Sequence, residues 1–341
     1  MINEFILFSS AIAFFMSFGL CLLVIIASKR LDFFMDSAQS QKPQRFHTHN
    51  TSRAGGVGIF VAFYCAYLFY FGYDKSLLGL LFGAFVIFIS GLAEDFSSSL
   101  NPKIRLILQC FGAFLGCYMM SVYLKDLSLG FELPRFIGVL FSIFALVGVT
   151  NAINIIDGFN GLASGICLLI FGAIAFVAFA VQDNNIAEIC IFVIMAILGF
   201  FVLNFPKGKI FLGDGGAYFL GFLAGFLLIL LTQKNTLVST WFGFSIMVYP
   251  VWEVLFSIYR KKVVRGISPM KPDKAHFHML LFKRVFKNNA STSLGICLLY
   301  APFVVLSCLF FYSTLILLAI SLAFIVLYIY IYWSLIRFAK K

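Results

Sequence analysis

The stretch from Thr150 to Gly165 reads T-N-A-I-N-I-I-D-G-F-N-G-L-A-S-G. An apolar run beginning at Phe136 delivers Asn151, Asn154 and Asp157, three polar groups spaced three apart. On a helix, that spacing keeps them within about a third of the circumference. Gly158 and Gly161 follow, where the backbone is free to turn or to approach a ligand closely. Two amides and a carboxylate at the end of a membrane-length segment are costly unless they bind something. The plainer alternative is turn chemistry at a helix end. Glu94, Asp95 and Asp214 extend the set to four carboxylates. Oxygen ligands of this kind select hard cations such as Mg2+ or Mn2+, with Mg2+ taking one or two carboxylates plus substrate phosphates. No CxxC or multi-His set suits zinc. The arginines, lysines and histidines nearby suit phosphates. Gly213, Gly215 and Gly216 around Asp214 would let a phosphate approach backbone N–H groups at a helix start.

These residues must be positioned by membrane helices. Of the 341 residues, 62% are hydrophobic and 11% charged, against about 25% charged in soluble domains. The apolar residues fall in runs of roughly 20, the length of a bilayer-spanning helix. The expected architecture is all-α, a polytopic helix bundle with eleven spans: 5–27, 55–72, 77–93, 104–124, 136–156, 162–181, 187–204, 217–232, 237–259, 293–311 and 314–336. When the connections are assigned alternately to two faces, one face receives only Lys75, Lys125, Arg135 and Lys234 of the 25 lysines and arginines. By the positive-inside rule the N-terminus is then outside and the C-terminus cytoplasmic. The same asymmetry accounts for the net charge of +11 without nucleic acid. Glu4 precedes the first run and basic residues follow it, so that run is expected to stay as a helix and not to leave as a signal peptide. The eight cysteines all lie in apolar runs and read as packing residues. Glu253, inside the ninth span, faces either a functional cavity or a structural partner.

Five polar clusters then fall on the cytoplasmic face: Arg53 to Gly58, Glu94-Asp95 with Lys103 and Arg105 beyond, the Asn151 stretch, Asn204 to Gly216, and a loop after Arg260 carrying His276 and His278. One site assembled from several helix ends is the economical reading. The chain is expected to be a single transmembrane domain over 1–341, with a long basic cytoplasmic loop at 260–292.

In order and spacing, the motifs R-A-G-G-V-G at Arg53, G-L-A-E-D at Gly91, N-A-I-N-I-I-D-G-F-N-G-L at Asn151, N-F-P-K-G-K-I-F-L-G-D-G-G at Asn204 and G-I-S-P-M-K-P-D-K-A-H-F-H at Gly266 resemble the polyprenyl-phosphate N-acetylhexosamine-1-phosphate transferases, the family of MraY and WecA. The last motif is closer to the WecA branch. The resemblance implies transfer of a sugar-1-phosphate from a UDP-N-acetylhexosamine, by default UDP-GlcNAc, to undecaprenyl phosphate in a bacterial inner membrane. UMP is released, and cell-surface glycan synthesis such as that of O-antigen begins. It implies that Asp214 and Asn154 hold Mg2+, and that Asp157, Asn160 and Gly161 contact the nucleotide. Glu94 and Asp95 would lie near the lipid phosphate, and His276 and His278 near the sugar or pyrophosphate. Arg53, Arg105 and Asn204 join the substrate-binding set, and a homodimer is implied. Three positions depart from the family pattern: Glu94 replaces the first of two aspartates, Asn160 stands where many bacterial members have Asp, and Met279 stands where WecA-like members often have His. The rival reading is a transporter or flippase of anionic polyprenyl lipids, which would bind near the midplane.

Overall fold

The computed structural model describes residues 4–31, 35–36, 51–72, 77–97, 100–268 and 275–337. Pro269 to Lys274 of the last motif lie outside the described residues, as do Lys42, Arg45, Lys75, Lys340 and Lys341. Within them the chain is helical almost throughout. The helices are α1 Glu4–Leu31, α2 Gly55–Phe71, α3 Leu78–Ser97, α4 Pro102–Met120, α5 Arg135–Ile156, α6 Leu162–Ala180, α7 Asn184–Asn204, α8 Gly213–Lys234, α9 Trp241–Ile246, α10 Val248–Tyr259, α11 Phe277–Leu281, α12 Asn289–Leu309 and α13 Thr314–Arg337. Two π-helical turns, Arg260–Val264 and Phe282–Phe286, follow α10 and α11. A two-residue antiparallel pair, β1 Met35–Asp36 with β2 Thr51–Ser52, is the sheet content among the described residues.

The protein is an all-α polytopic membrane protein. Among the described residues, nine helices are long and apolar enough to cross a bilayer. Two of the eleven expected spans take a different form. The 55–72 segment is a helix of 17 residues. The 237–259 segment breaks at Met247 into α9 and α10. Pro250 explains the break: it has no N–H to give to the carbonyl of Ile246. That carbonyl accepts the Tyr300 hydroxyl instead. Large apolar side chains such as Phe136, Phe144 and Leu315 are exposed on the outside of the bundle, as a lipid-facing surface requires.

The axis of the bundle is α8, whose residues are buried along almost its whole length. It is apolar all round, the pattern of a fully enclosed helix, and α2, α3, α5 and α6 pack against it. Small residues make the close approach possible. A Cβ on Gly56 would lie 2.3 Å from the Cα of Gly216, and one on Gly91 would lie 2.6 Å from the backbone of Asp214. The N-terminus of α8 is thereby clamped between α2 and α3, where the polar motifs gather.

Candidate active site

Backbone pairing sets the frame. Phe211 N donates to the Ser52 carbonyl at 2.8 Å, Gly55 N to the Phe211 carbonyl at 2.9 Å, and Gly56 N to the Leu212 carbonyl at 2.8 Å. The Arg53 strap is thus stitched to the loop that leads into α8. Gly213 sits at φ +78°, and a Cβ there would lie 1.9 Å from the Arg53 carbonyl and 2.6 Å from Asp95 Oδ2. Only glycine tolerates both the conformation and the crowding. Gly213→Ala is expected to abolish turnover and to lower the unfolding temperature by several degrees, as read by product release and thermal melts in detergent. Wild-type turnover with an unchanged melt would show that the clamp yields freely.

Asp95 closes the frame from α3. Its Oδ1 accepts Asp214 N at 2.9 Å and its Oδ2 accepts Gly215 N at 2.8 Å. The side chain is 1% exposed. Asp95 therefore takes two of the N–H groups at the start of α8 that a phosphate would otherwise approach. The carboxylate also meets the positive end of α8.

Asp214 projects from this fixed helix start. Its Oδ1 accepts Arg53 Nη2 at 3.2 Å and Asn154 Nδ2 at 3.0 Å, and its Oδ2 accepts Arg105 Nη1 at 3.1 Å. Arg105 also lies 3.7 Å from Glu94 Oε1, and Arg53 lies 3.7 Å from Asp95 Oδ1. The other Glu94 oxygen accepts Leu100 N at 3.0 Å. Three of the expected residues, Arg53 from the strap, Arg105 from α4 and Asn154 from α5, thus converge on the Asp214 carboxylate, while Asp95 of α3 holds the Asp214 backbone N–H. Asn151 is drawn away to Gln109 Oε1 at 2.7 Å on α4. Asp157 caps the end of α5 and keeps partial solvent access. Desolvation, with the nearby charge of Asp214, pushes its pKa up to about 7, and Arg53 pulls the other way.

The strap after Asp157 is locked by amides. Gly161 N donates to Asn204 Oδ1 at 2.6 Å, and Asn204 Nδ2 donates to the Ile210 carbonyl at 2.7 Å. Asn204 is buried with both ends committed to backbone, so it acts on a ligand through the loops it ties together. Asn160 N donates to Asn289 Oδ1 at 2.7 Å, and Asn160 Nδ2 to the Pro206 carbonyl at 3.1 Å. Asn289 is a site neighbour with only a faint mark in the sequence. Its signal is the Asn288-Asn289 pair at a helix start, where Asn is a favoured cap.

The histidines approach the same strap from the far side. A Cβ on Gly158 would lie 3.1 Å from His278 Nε2, and Phe159 meets the His278 ring edge-on at 5.5 Å. His278 is fully buried with neither ring nitrogen hydrogen-bonded. Burial pushes its pKa down to about 3, so the ring is neutral near pH 7. His276 stacks on His278 at 5.5 Å, and its Nδ1 lies 2.8 Å from Glu253 Oε1.

The sequence model of glycosyl transferase family 4 matches residues 77–232. The phospho-N-acetylmuramoyl-pentapeptide-transferase of Enterococcus faecalis is 34% identical over 226 residues, spanning 62% of this chain and 69% of that one. The chain belongs to glycosyl transferase family 4. The family match runs from the start of α3 almost to the end of α8 and takes in every residue that meets Asp214 except Arg53. It stops before His276 and His278. The undecaprenyl-phosphate alpha-N-acetylglucosaminyl 1-phosphate transferase of Yersinia pestis is 28% identical over 84% of this chain and 82% of its own length. A probable undecaprenyl-phosphate N-acetylglucosaminyl 1-phosphate transferase of Bacillus subtilis is 29% identical over 78% of this chain and 75% of its own.

Among the described residues, no three acidic, His or Cys side chains form a self-sufficient metal site. Asp214 supplies a hard carboxylate donor, and Asn154, whose Nδ2 donates to Asp214 Oδ1 at 3.0 Å, carries its amide oxygen on the same group. That set fits a Mg2+ that brings its own waters and shares substrate phosphates.

Proposed function

We propose that this chain transfers N-acetylglucosamine-1-phosphate from UDP-GlcNAc to undecaprenyl phosphate, releasing UMP and starting a cell-surface glycan on a polyprenyl pyrophosphate. The observation that carries the reading is the convergence of Arg53, Arg105 and Asn154 on Asp214 at one end of a membrane bundle. A water-soluble phosphate donor and a lipid phosphate acceptor would meet at such a rim. The Yersinia and Bacillus relatives carry the name of undecaprenyl-phosphate N-acetylglucosaminyl 1-phosphate transferases. The transporter reading has no observation behind it, since the groups that meet Asp214 lie at helix ends.

In this reading a phosphate oxygen of the lipid attacks the β-phosphorus of the UDP-sugar. The new P–O bond forms as the bond to the bridging α–β oxygen breaks, and UMP leaves. The lipid phosphate is already largely ionised near neutral pH, its second pKa being about 6, so no general base is assigned. Arg53 and Arg105 lower the repulsion between the two anions. Asp214 and Asn154 would hold Mg2+, which supplies charge neutralisation at the transferring phosphoryl group. Asp157, Asn160 and Gly161 form the nucleotide side of the site, and His276 and His278 its sugar-pyrophosphate side. Glu94 and Arg105 lie where the lipid phosphate arrives. The further parts of the proposal are eleven crossings as a single domain, N-terminus outside and C-terminus cytoplasmic, in the inner membrane, as a homodimer.

Incubating the purified protein with undecaprenyl phosphate, Mg2+ and a panel of UDP-sugars tests the substrate assignment. UMP release with UDP-GlcNAc and not with UDP-glucose is the supporting result. Equal use of UDP-glucose would remove the acetamido preference. Asn160→Ala is expected to raise KM for the UDP-sugar about five-fold with kcat within two-fold, the effect of losing one neutral hydrogen bond of about 1 kcal/mol made equally in both states. A loss confined to kcat would place Asn160 at the reacting atoms.

A further inference from the structure

The mechanism above makes no use of Glu253. This carboxylate lies in the middle of α10, is 0% exposed, and has both oxygens occupied. Oε1 faces His276 Nδ1 at 2.8 Å and accepts Phe277 N at 3.2 Å. Oε2 accepts the Tyr328 hydroxyl from α13 at 2.8 Å. A buried carboxylate with no partner is strongly destabilising, and replacing a buried polar cluster by apolar groups is often neutral or stabilising. Stability alone therefore gives little reason for a carboxylate at this point.

We infer that Glu253 is a positioning residue: with Tyr328 it forms a buried brace that fixes the ring of His276, and the start of α11 with it, against the strap at Gly158 and Phe159. Accepting from Nδ1–H holds the ring in one tautomer and directs the opposite nitrogen, Nε2, away from α10. This is the arrangement by which carboxylates orient histidine ligands in other sites. The bond to Phe277 N fixes the first turn of α11, which carries His278. The stack of His276 on His278 at an interplanar angle of 11° passes the same constraint to the ring over Gly158. A second tie comes from α13, where Tyr332 donates to the carbonyl of Ala275 at 3.1 Å. The brace thus lets the last membrane helix, distant in sequence from the acidic cluster, set the aim of the histidine pair.

The inference rests on the reading of His276 as part of the substrate site, and the experiment separates the two. Steady-state kinetics and thermal melts are compared for Glu253→Gln, Glu253→Leu, His276→Gln and the double variant Glu253→Leu with His276→Gln. Gln keeps an acceptor for Nδ1–H and for Phe277 N, whereas Leu fills similar volume without one. The expected result is that Leu lowers kcat about ten-fold or more, with KM for the UDP-sugar within two-fold, and that Gln restores most of the loss. In the His276→Gln background, Glu253→Leu is expected to have little further effect, because residues acting as a unit are non-additive. If Leu retains turnover as well as Gln does, or if the two losses simply multiply, the positioning role is overturned. If His276→Gln itself turns over normally, the site reading of the histidine fails and the inference falls with it.

Discussion

Asp214→Asn is expected to lower turnover about 100-fold or more, the scale seen when one preorganised charge-stabilising group is removed from an active site. The melting temperature should move by only a few degrees. The carboxylate draws together three polar partners, Arg53, Arg105 and Asn154, within 3.2 Å. Both arginines have a second carboxylate nearby at 3.7 Å, Asp95 for Arg53 and Glu94 for Arg105, so neither is stranded by the change. The amide keeps one oxygen for hydrogen bonding but loses the charge that both the guanidinium groups and a hard cation need. The measurement is UMP release at saturating substrates over a Mg2+ titration, with a melt on the same preparation. Near-normal turnover with normal Mg2+ dependence would remove Asp214 from the centre of the site.

Asp95→Asn should give a different signature. Both Asp95 oxygens accept N–H groups at the start of α8, and an amide has only one oxygen to offer them. One N–H, buried and facing an NH2 group, then goes unsatisfied at about 1–3 kcal/mol. The favourable charge at the helix N-terminus is lost as well, up to about 2 kcal/mol in partly buried geometry. The melt should fall clearly. Asp214, whose own N–H is one of the two, loses its register, and kcat should fall more than about ten-fold with KM for the UDP-sugar little changed. Loss of kcat with an unchanged melt would instead mean that Asp95 touches the lipid phosphate directly. Glu94→Asp is the companion: it restores the acidic pair usual in the family and should keep activity, because Glu94 contacts Arg105 and Leu100 N and not the α8 start.

The spacing of Asn154 and Asp157 and the lone carboxylate among glycines at Asp214 were legible in the sequence, because polar groups at the ends of apolar runs stand out against membrane-length segments. The structure brings Arg53, Asp95, Arg105, Asn154 and Asp214 together. The direction of each side chain was not legible. Asp95 reads as a group for the lipid phosphate, yet it turns inward to α8, since neighbouring helix ends compete for a carboxylate and only packing decides which wins. Asn204 reads as a substrate contact, yet it ties two loops together through backbone groups distant in sequence from each other. Glu253 could be read equally as functional or structural because its partners, His276 and Tyr328, are brought to it by α11 and α13. The break at Met247 follows from Pro250, but its repair by the Tyr300 hydroxyl depends on a tertiary contact.

The most direct test of the account follows a single phosphorus atom. UDP-GlcNAc labelled with 32P at the β-phosphate is incubated with the purified protein, undecaprenyl phosphate and Mg2+, and the products are separated into lipid and water-soluble fractions. Transfer of sugar-1-phosphate predicts that the label moves into the lipid fraction while unlabelled UMP accumulates in equal amount. Label recovered in released UDP, or no chemical change in either substrate, would contradict it.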